Sequence, residues 1–205
     1  LFMSGSINTI AFPLYVKALQ DTDLSLALPL LTFTPLFLLV TSPLILGEFP
    51  HMLGLVGVLL IVIGSYVLSI RELKYGYFAP FVALLKNKGS RYMLLVAFLW
   101  SISLNFDKMG IQHSSPLFWG FAITVFLVFT LTLLVLRSRV SFKQSTSCAY
   151  LFFFMGLFYA LTIFVQNYAL TFVLVSYVIS IKRLSVLFSV VWGKLIFHEG
   201  GFQER

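Results

Sequence analysis

LFMSGSINTIAFPLYVKALQDTDLSLALPLLTFTPLFLLVTSPLILGE, residues Leu1–Glu48, returns later in the chain, and its return decides the fold. A shift of 151 positions lays it on Phe152–Glu199 without a gap. Phe2 meets Phe153, Gly5 meets Gly156, Ala18-Leu19 meets Ala169-Leu170 and Ser25 meets Ser176. Leu36-Phe37 meets Leu187-Phe188, Val40 meets Val191, Leu44-Ile45 meets Leu195-Ile196, and Glu48 meets Glu199. Two apolar helices share some identities by composition alone. The gapless register, closed by a carboxylate in both copies, points to duplication. Internal repeats of this kind in a membrane chain place a substrate site between the copies.

Working outward, the 205 residues are 60% hydrophobic and 10% charged, far below the ~25% charge of a soluble domain. Runs such as Met52–Ile70 and Leu117–Leu136 reach the ~20 residues that cross a ~30 Å hydrocarbon core. They do not alternate as the strands of a membrane barrel would. The fold class is therefore all-α, a polytopic membrane helical bundle. The spans read Leu1–Leu19, Leu24–Gly47, Met52–Ile70, Met93–Ile111, Ser115–Leu136, Ser147–Ala169 and Phe172–Phe197, seven in this chain. Pro35 and Pro43 lie inside the second span, and Pro35 is expected to kink it. Gly54, Gly57 and Gly64 lie near one face of the third and would admit a close helix. Phe78–Leu85 is apolar but too short to span, which reads as an interfacial segment.

The net charge of +7 does not indicate nucleic acid, because most Lys and Arg sit in short loops between spans, where they set orientation. Cys148 is the single cysteine, so neither an intrachain disulfide nor a cysteine metal site is expected. No hydrolytic triad, phosphate loop or metal-ligand spacing is visible. The chain reads as no enzyme, and no cofactor is implied. Its partners are a small-molecule substrate and membrane lipid, and its oligomeric state is not legible. The chain begins inside an apolar run, and it stops where the twin of the third span would start. Two spans precede the second copy and none the first. The expectation is a piece of a ten-span protein built as two sets of five. Five is odd, so the halves would be inverted. Residues 1–70 would be the last three helices of the first repeat, 71–91 a basic linker, and 92–205 the first four helices of the second.

Thr34-Pro35 running to Gly47-Glu48, followed by Gly57 and Gly64 seven apart, resembles the EamA-type drug/metabolite transporters. In the second half Ser176–Glu199 is the counterpart, with His198 before Glu199 and Val186 where Pro35 falls. The resemblance implies ten helices around a central cavity and the export or exchange of small metabolites by alternating access. It also implies a cell membrane, the inner membrane in a bacterium. A lipid-carrier flippase shares this fold. A seven-helix receptor or photoreceptor would also carry a lysine in its last helix. Against that stand the repeat and Arg183 beside Lys182.

Lys182 and Arg183 are the sharpest functional signal, since a charge near the bilayer centre costs ~3 kcal/mol unless it faces a cavity or a partner. Adjacent helical side chains diverge by ~100°, so one would point inward and the other pair sideways. Asp107 is the acid well inside a span and the natural partner. It shares a face with Trp100 and Ser103, and its height falls within ~10 Å of Lys182. Lys108 could take Asp107 locally or snorkel. Ser4, Asn8 and Tyr15 form one stripe with Ala11. Under the shift, Asn8 falls on Tyr159, Ala11 on Thr162 and Tyr15 on Gln166, so the stripes of both copies coincide. Asn8, Tyr15, Tyr159, Gln166 and Asn167 are candidates to hydrogen-bond substrate or a neighbouring helix. Trp100 and Trp119 read as packing or binding surfaces. Glu48 and Glu199 close their spans, as solvated ends or as gating and helix-end pairs.

Charge also assigns orientation. Lys17, Arg71, Lys74, Lys86, Lys88, Arg91, Arg137, Arg139, Lys143, Lys194 and Arg205 fall on one side of the bilayer, and Lys108 on the other. Such loops stay in the cytoplasm. Ten-helix relatives with both termini cytoplasmic would have the same loops outside, and the charge bias is taken as deciding. A cysteine at Lys86 in a Cys148→Ser background is expected to resist an impermeant thiol reagent in intact cells and to react once they are broken. Labelling of intact cells would reverse the assignment.

Overall fold

The computed structural model describes residues 1–21, 30–71, 87–137 and 149–185. Within them lie seven helices and no strand: α1 (Phe2–Asp21), α2 (Thr34–Leu46), α3 (Met52–Arg71), α4 (Lys88–Gln112), α5 (Pro116–Arg137), α6 (Ala149–Phe172) and α7 (Val175–Arg183). A helix satisfies its backbone internally, which is what an apolar run in lipid requires. α4, α5 and α6 are each long and apolar enough to cross a bilayer. The sixth helix continues three residues beyond the expected Ala169, and a two-residue break at Val173-Leu174 precedes α7. The segment Phe78–Leu85, Glu199 and the distal part of the seventh span lie outside the described residues.

α4 is the hub, packing against α1, α2, α5, α6 and α7, most extensively against α1. Two apolar clusters grip its two ends. Met93, Val96 and Ala97 join Ala18, Leu30 and Leu31 near its start. Ile111 joins Leu38, Trp119, Leu170, Val175 and Ile179 near its finish. Gly110 permits the second cluster to close. A Cβ there would occupy the ring of Trp119, so the α4–α5 hairpin tightens only without one. The expected glycine face of α3 holds at one position. Tyr177 lies against Gly54, whereas no atom lies within 4 Å of a Cβ built at Gly57 or Gly64.

Pro35 does not kink the middle of a continuous helix. It stands in the first turn of α2, where a proline does not interrupt the helix that follows, after a turn at Thr32-Phe33. Pro43 is the proline inside α2. At the turn, Phe33 N–H donates to Leu30 O at 3.2 Å. The same three-residue step recurs 151 positions later, where Leu184 N–H donates to Ile181 O at 2.9 Å. The two tightened steps are thus related by the 151-residue shift.

At the other end of α2, Gly47 adopts φ 69°, and its N–H caps Pro43 O at 3.1 Å. This left-handed residue favours glycine. It swings Glu48 toward α4, where its carboxylate meets Lys108 Nζ at 2.7 Å. Lys108 therefore neither pairs with Asp107 nor snorkels. It is 5% exposed and also donates to Val173 O at 2.9 Å, a carbonyl left without a ladder partner by the α6–α7 break. One buried ammonium ties α2, α4 and the α6–α7 turn.

Removing one charge of such a pair strands the other. Glu48→Gln is expected to lower stability by about 3 kcal/mol, the lower part of the range for a broken buried pair because Glu48 is partly exposed. Thermal unfolding in detergent measures the loss. A melting temperature equal to the parent's would show that the pair is not structural.

Candidate substrate cavity

Between the two apolar clusters α4 turns polar, and a cavity of about 220 Å³ opens there. Five further helical segments complete its wall. α1 gives Asn8 and Phe12, α2 gives Thr34, α5 gives Ile123, Thr124 and Leu127. α6 gives Tyr159, Ile163 and Gln166, and α7 gives Ile179, Lys182 and Arg183. α4 itself contributes Trp100, Ser103, Leu104 and Asp107. The volume falls just under the ~300–1,000 Å³ usual for small-ligand sites.

Trp100, Ser103 and Asp107 share the expected face of α4 because spacings of three and four return to one side of a helix. Ser103 and Asp107 meet the polar stripe of α1. Asn8 Nδ2 donates to Ser103 Oγ at 2.6 Å, Ser103 and Ser4 hydroxyls lie 3.0 Å apart, and Ser4 Oγ donates to Asp107 Oδ1. Each hydroxyl has one hydrogen. With that of Ser4 on the carboxylate, Ser103 donates to Ser4, and the chain runs one way, toward Asp107. Trp119 Nε1 donates to the same oxygen at 3.1 Å. Trp119 is thus more than packing: its body fills the cluster at Gly110 and its polar edge holds the acid.

Lys182 and Arg183 face the cavity together with Asp107, but the anticipated ion pair does not form. Among the described residues Lys182 Nζ donates to Gln166 Oε1 at 2.7 Å, and Arg183 Nη2 donates to Thr34 Oγ1 at 2.9 Å. Asp107 already holds two neutral donors on one oxygen, and neutral acceptors lie nearer the two cations. The Arg183 Nε–H is buried with no partner in the described structure. The cavity thus brings two cations and one carboxylate together without neutralising them against each other.

The remaining expected residues divide. Trp100 and Tyr159 line the cavity. Tyr15 reaches it through Trp100, their ring centroids 5.5 Å apart. Asn167 is buried and donates to Pro116 O at 3.4 Å, a tie between α6 and α5. Thr162 is exposed and bonds its own helix at Phe158 O. Of the two stripes, Asn8, Tyr159 and Gln166 line the same cavity.

Two groups escaped the sequence reading. Thr34 is 1% exposed and lines the cavity; its place directly before Pro35 was the available signal. Asn105 is fully buried on the opposite face of α4. It accepts from Ser42 Oγ at 2.7 Å and donates to Thr41 Oγ1 at 3.0 Å and Ser101 O at 2.8 Å. The signal for it was the Ser101, Asn105, Lys108 spacing of four and three.

A bundle with a charged cavity around a central helix is an arrangement for holding a polar solute inside a membrane. No curated protein and no solved structure matches the chain. The family of EamA-like transporters does, over residues 1–70 and 87–200. By that match, with the apolar helices, the chain belongs to the EamA-like transporter family and is a multi-pass membrane protein of a family that moves small molecules.

Proposed function

We propose that this chain transports a small metabolite carrying an anionic group, bound between the two repeats and exposed to each side of the membrane in turn. The observation that carries the reading is the pair Lys182 and Arg183 in one cavity, each with a neutral acceptor and, among the described residues, one guanidinium N–H without any. A charged or polar ligand satisfies such groups where water is scarce. Asp107, held at Oδ1 by Ser4 and Trp119, faces the same space and would accept from a hydroxyl or amine of the solute. The Lys108–Glu48 pair joins α4, next to the cavity residue Asp107, to the end of α2, two elements that this reading assigns to different repeats. In this account it is the contact that breaks when the cavity opens at that end, and the charge bias puts that end outside the cytoplasm.

A second reading, a flippase for an anionic lipid carrier, draws on one observation. An apolar groove of about 480 Å³ runs between α6 and α7 and shares Gln166 and Lys182 with the cavity. A headgroup in the cavity with its chain in the groove would suit that arrangement. A proteoliposome screen of water-soluble anions against lipid-linked ones separates the readings.

With a substrate from that screen, Lys182→Leu and Arg183→Leu are each expected to abolish transport, by a hundredfold or more, while membrane insertion and expression stay near the parent's. Normal transport by both variants would make the charged centre irrelevant to the substrate.

A further inference from the structure

Resting on the anionic-substrate reading, we infer that Thr34 is the positioning residue of the site, the group that fixes the guanidinium of Arg183 for its ligand. The cause begins one residue on. Pro35 has no N–H, so Leu31 O, four residues earlier, loses its helical donor. In lipid an orphaned carbonyl must find another. The Thr34 hydroxyl supplies it, at 2.7 Å. Its single hydrogen is then committed, and its oxygen is left as an acceptor alone. That acceptor takes Arg183 Nη2 at 2.9 Å, across the repeat interface.

The proline therefore dictates the polarity of the threonine, and the threonine anchors one end of the guanidinium. The buried Nε–H, on the same rigid planar group, has no partner among the described residues. Anchoring Nη2 fixes the plane in which Nε–H and the remaining N–H groups are offered to an oxyanion. The arrangement is one-sided. Under the repeat shift Ser185 falls on Thr34 but Val186 on Pro35, and Thr32 falls where Arg183 stands. The first repeat has the proline-set acceptor, and the second has the cation it holds.

The test uses the protein in lipid nanodiscs, with inorganic sulfate as the probe and chloride at equal ionic strength as the control. Melting temperature is followed against sulfate concentration for the parent, Arg183→Gln, Thr34→Val and Thr34→Ser. Saturable stabilisation of the parent is expected, and its loss in Arg183→Gln. Thr34→Val should raise the half-saturating concentration about tenfold, the equivalent of one hydrogen bond to a charged group. Thr34→Ser, which keeps the hydroxyl, should stay within twofold of the parent. A purely structural role would lower the sulfate-free melting temperature and leave half-saturation unmoved. If Thr34→Val does not fold, Thr34→Cys, with a weaker acceptor of similar size, must shift half-saturation in the same direction. Half-saturation unchanged in the folded Thr34 variants, with Arg183→Gln defective, overturns the positioning role and leaves the anion site standing. A parent and an Arg183→Gln variant that respond alike to sulfate overturn the anion site itself.

Discussion

The polar groups that α4 carries into the apolar interior between Ser101 and Lys108 need partners there, and the bundle is arranged to provide them. The helix presents two polar stripes on opposite faces. Ser103 and Asp107 are met by Ser4 and Asn8 of α1 and by Trp119 of α5. Asn105 and Lys108 are met by Thr41, Ser42 and Glu48 around α2, and by the carbonyl of Val173. Hydrocarbon offers no substitute for these contacts. They specify which helices surround α4 and in what register, where apolar side chains against lipid discriminate weakly. The apolar clusters at its two ends then close around the polar middle, and the cavity lies in the gap between them.

The buried charges in and around that gap divide by how they are partnered. Lys108 and Glu48 are mutually compensated, one nearly buried and the other at a helix end, and they tie α4 to the end of α2. Among the described residues, Lys182 and Arg183 have no carboxylate partner. Neutral oxygens hold their positions while their charge remains available. Had Asp107 paired directly with either, the strongest electrostatic interaction of the cavity would be consumed by the protein. The hydroxyl chain from α1 and the indole of Trp119 keep the acid occupied on one oxygen instead. Breaking Lys108–Glu48 would loosen the tie between α2, α4 and the α6–α7 turn at once, which is why the proposed opening is assigned to this pair.

The helical membrane class was legible because long apolar runs in lipid leave little else for a backbone to do. The cavity face of α4 was legible too, since Trp100, Ser103 and Asp107 return to one side of a helix. Asn8 and Gln166 were legible from the polar stripes of their own helices, which the overlay of the repeats superposes. Pairing was less legible. Opposite charge suggested Asp107 for Lys182 and Arg183, yet neutral groups on α6 and α2 lie closer, and sequence does not supply that proximity. Lys108 was read as a neighbour of Asp107, although adjacent residues diverge on a helix. The left-handed turn at Gly47 that delivers Glu48 to it is a tertiary matter. Pro35 was read by its power to bend, but a proline in a first turn bends nothing. Its consequence is the carbonyl it leaves to Thr34.

Access to the cavity from both sides of the membrane is the claim on which the account stands. Thr124 lines the cavity and its hydroxyl bonds its own helix at Gly120 O, which suits it as a reporter. A Thr124→Cys substitution in a Cys148→Ser background can be probed with an impermeant thiol reagent in right-side-out and inside-out vesicles. The account predicts labelling from both sides, with Glu48→Gln raising the rate from the Glu48 side. Labelling from one side alone, unaltered by Glu48→Gln, would contradict it.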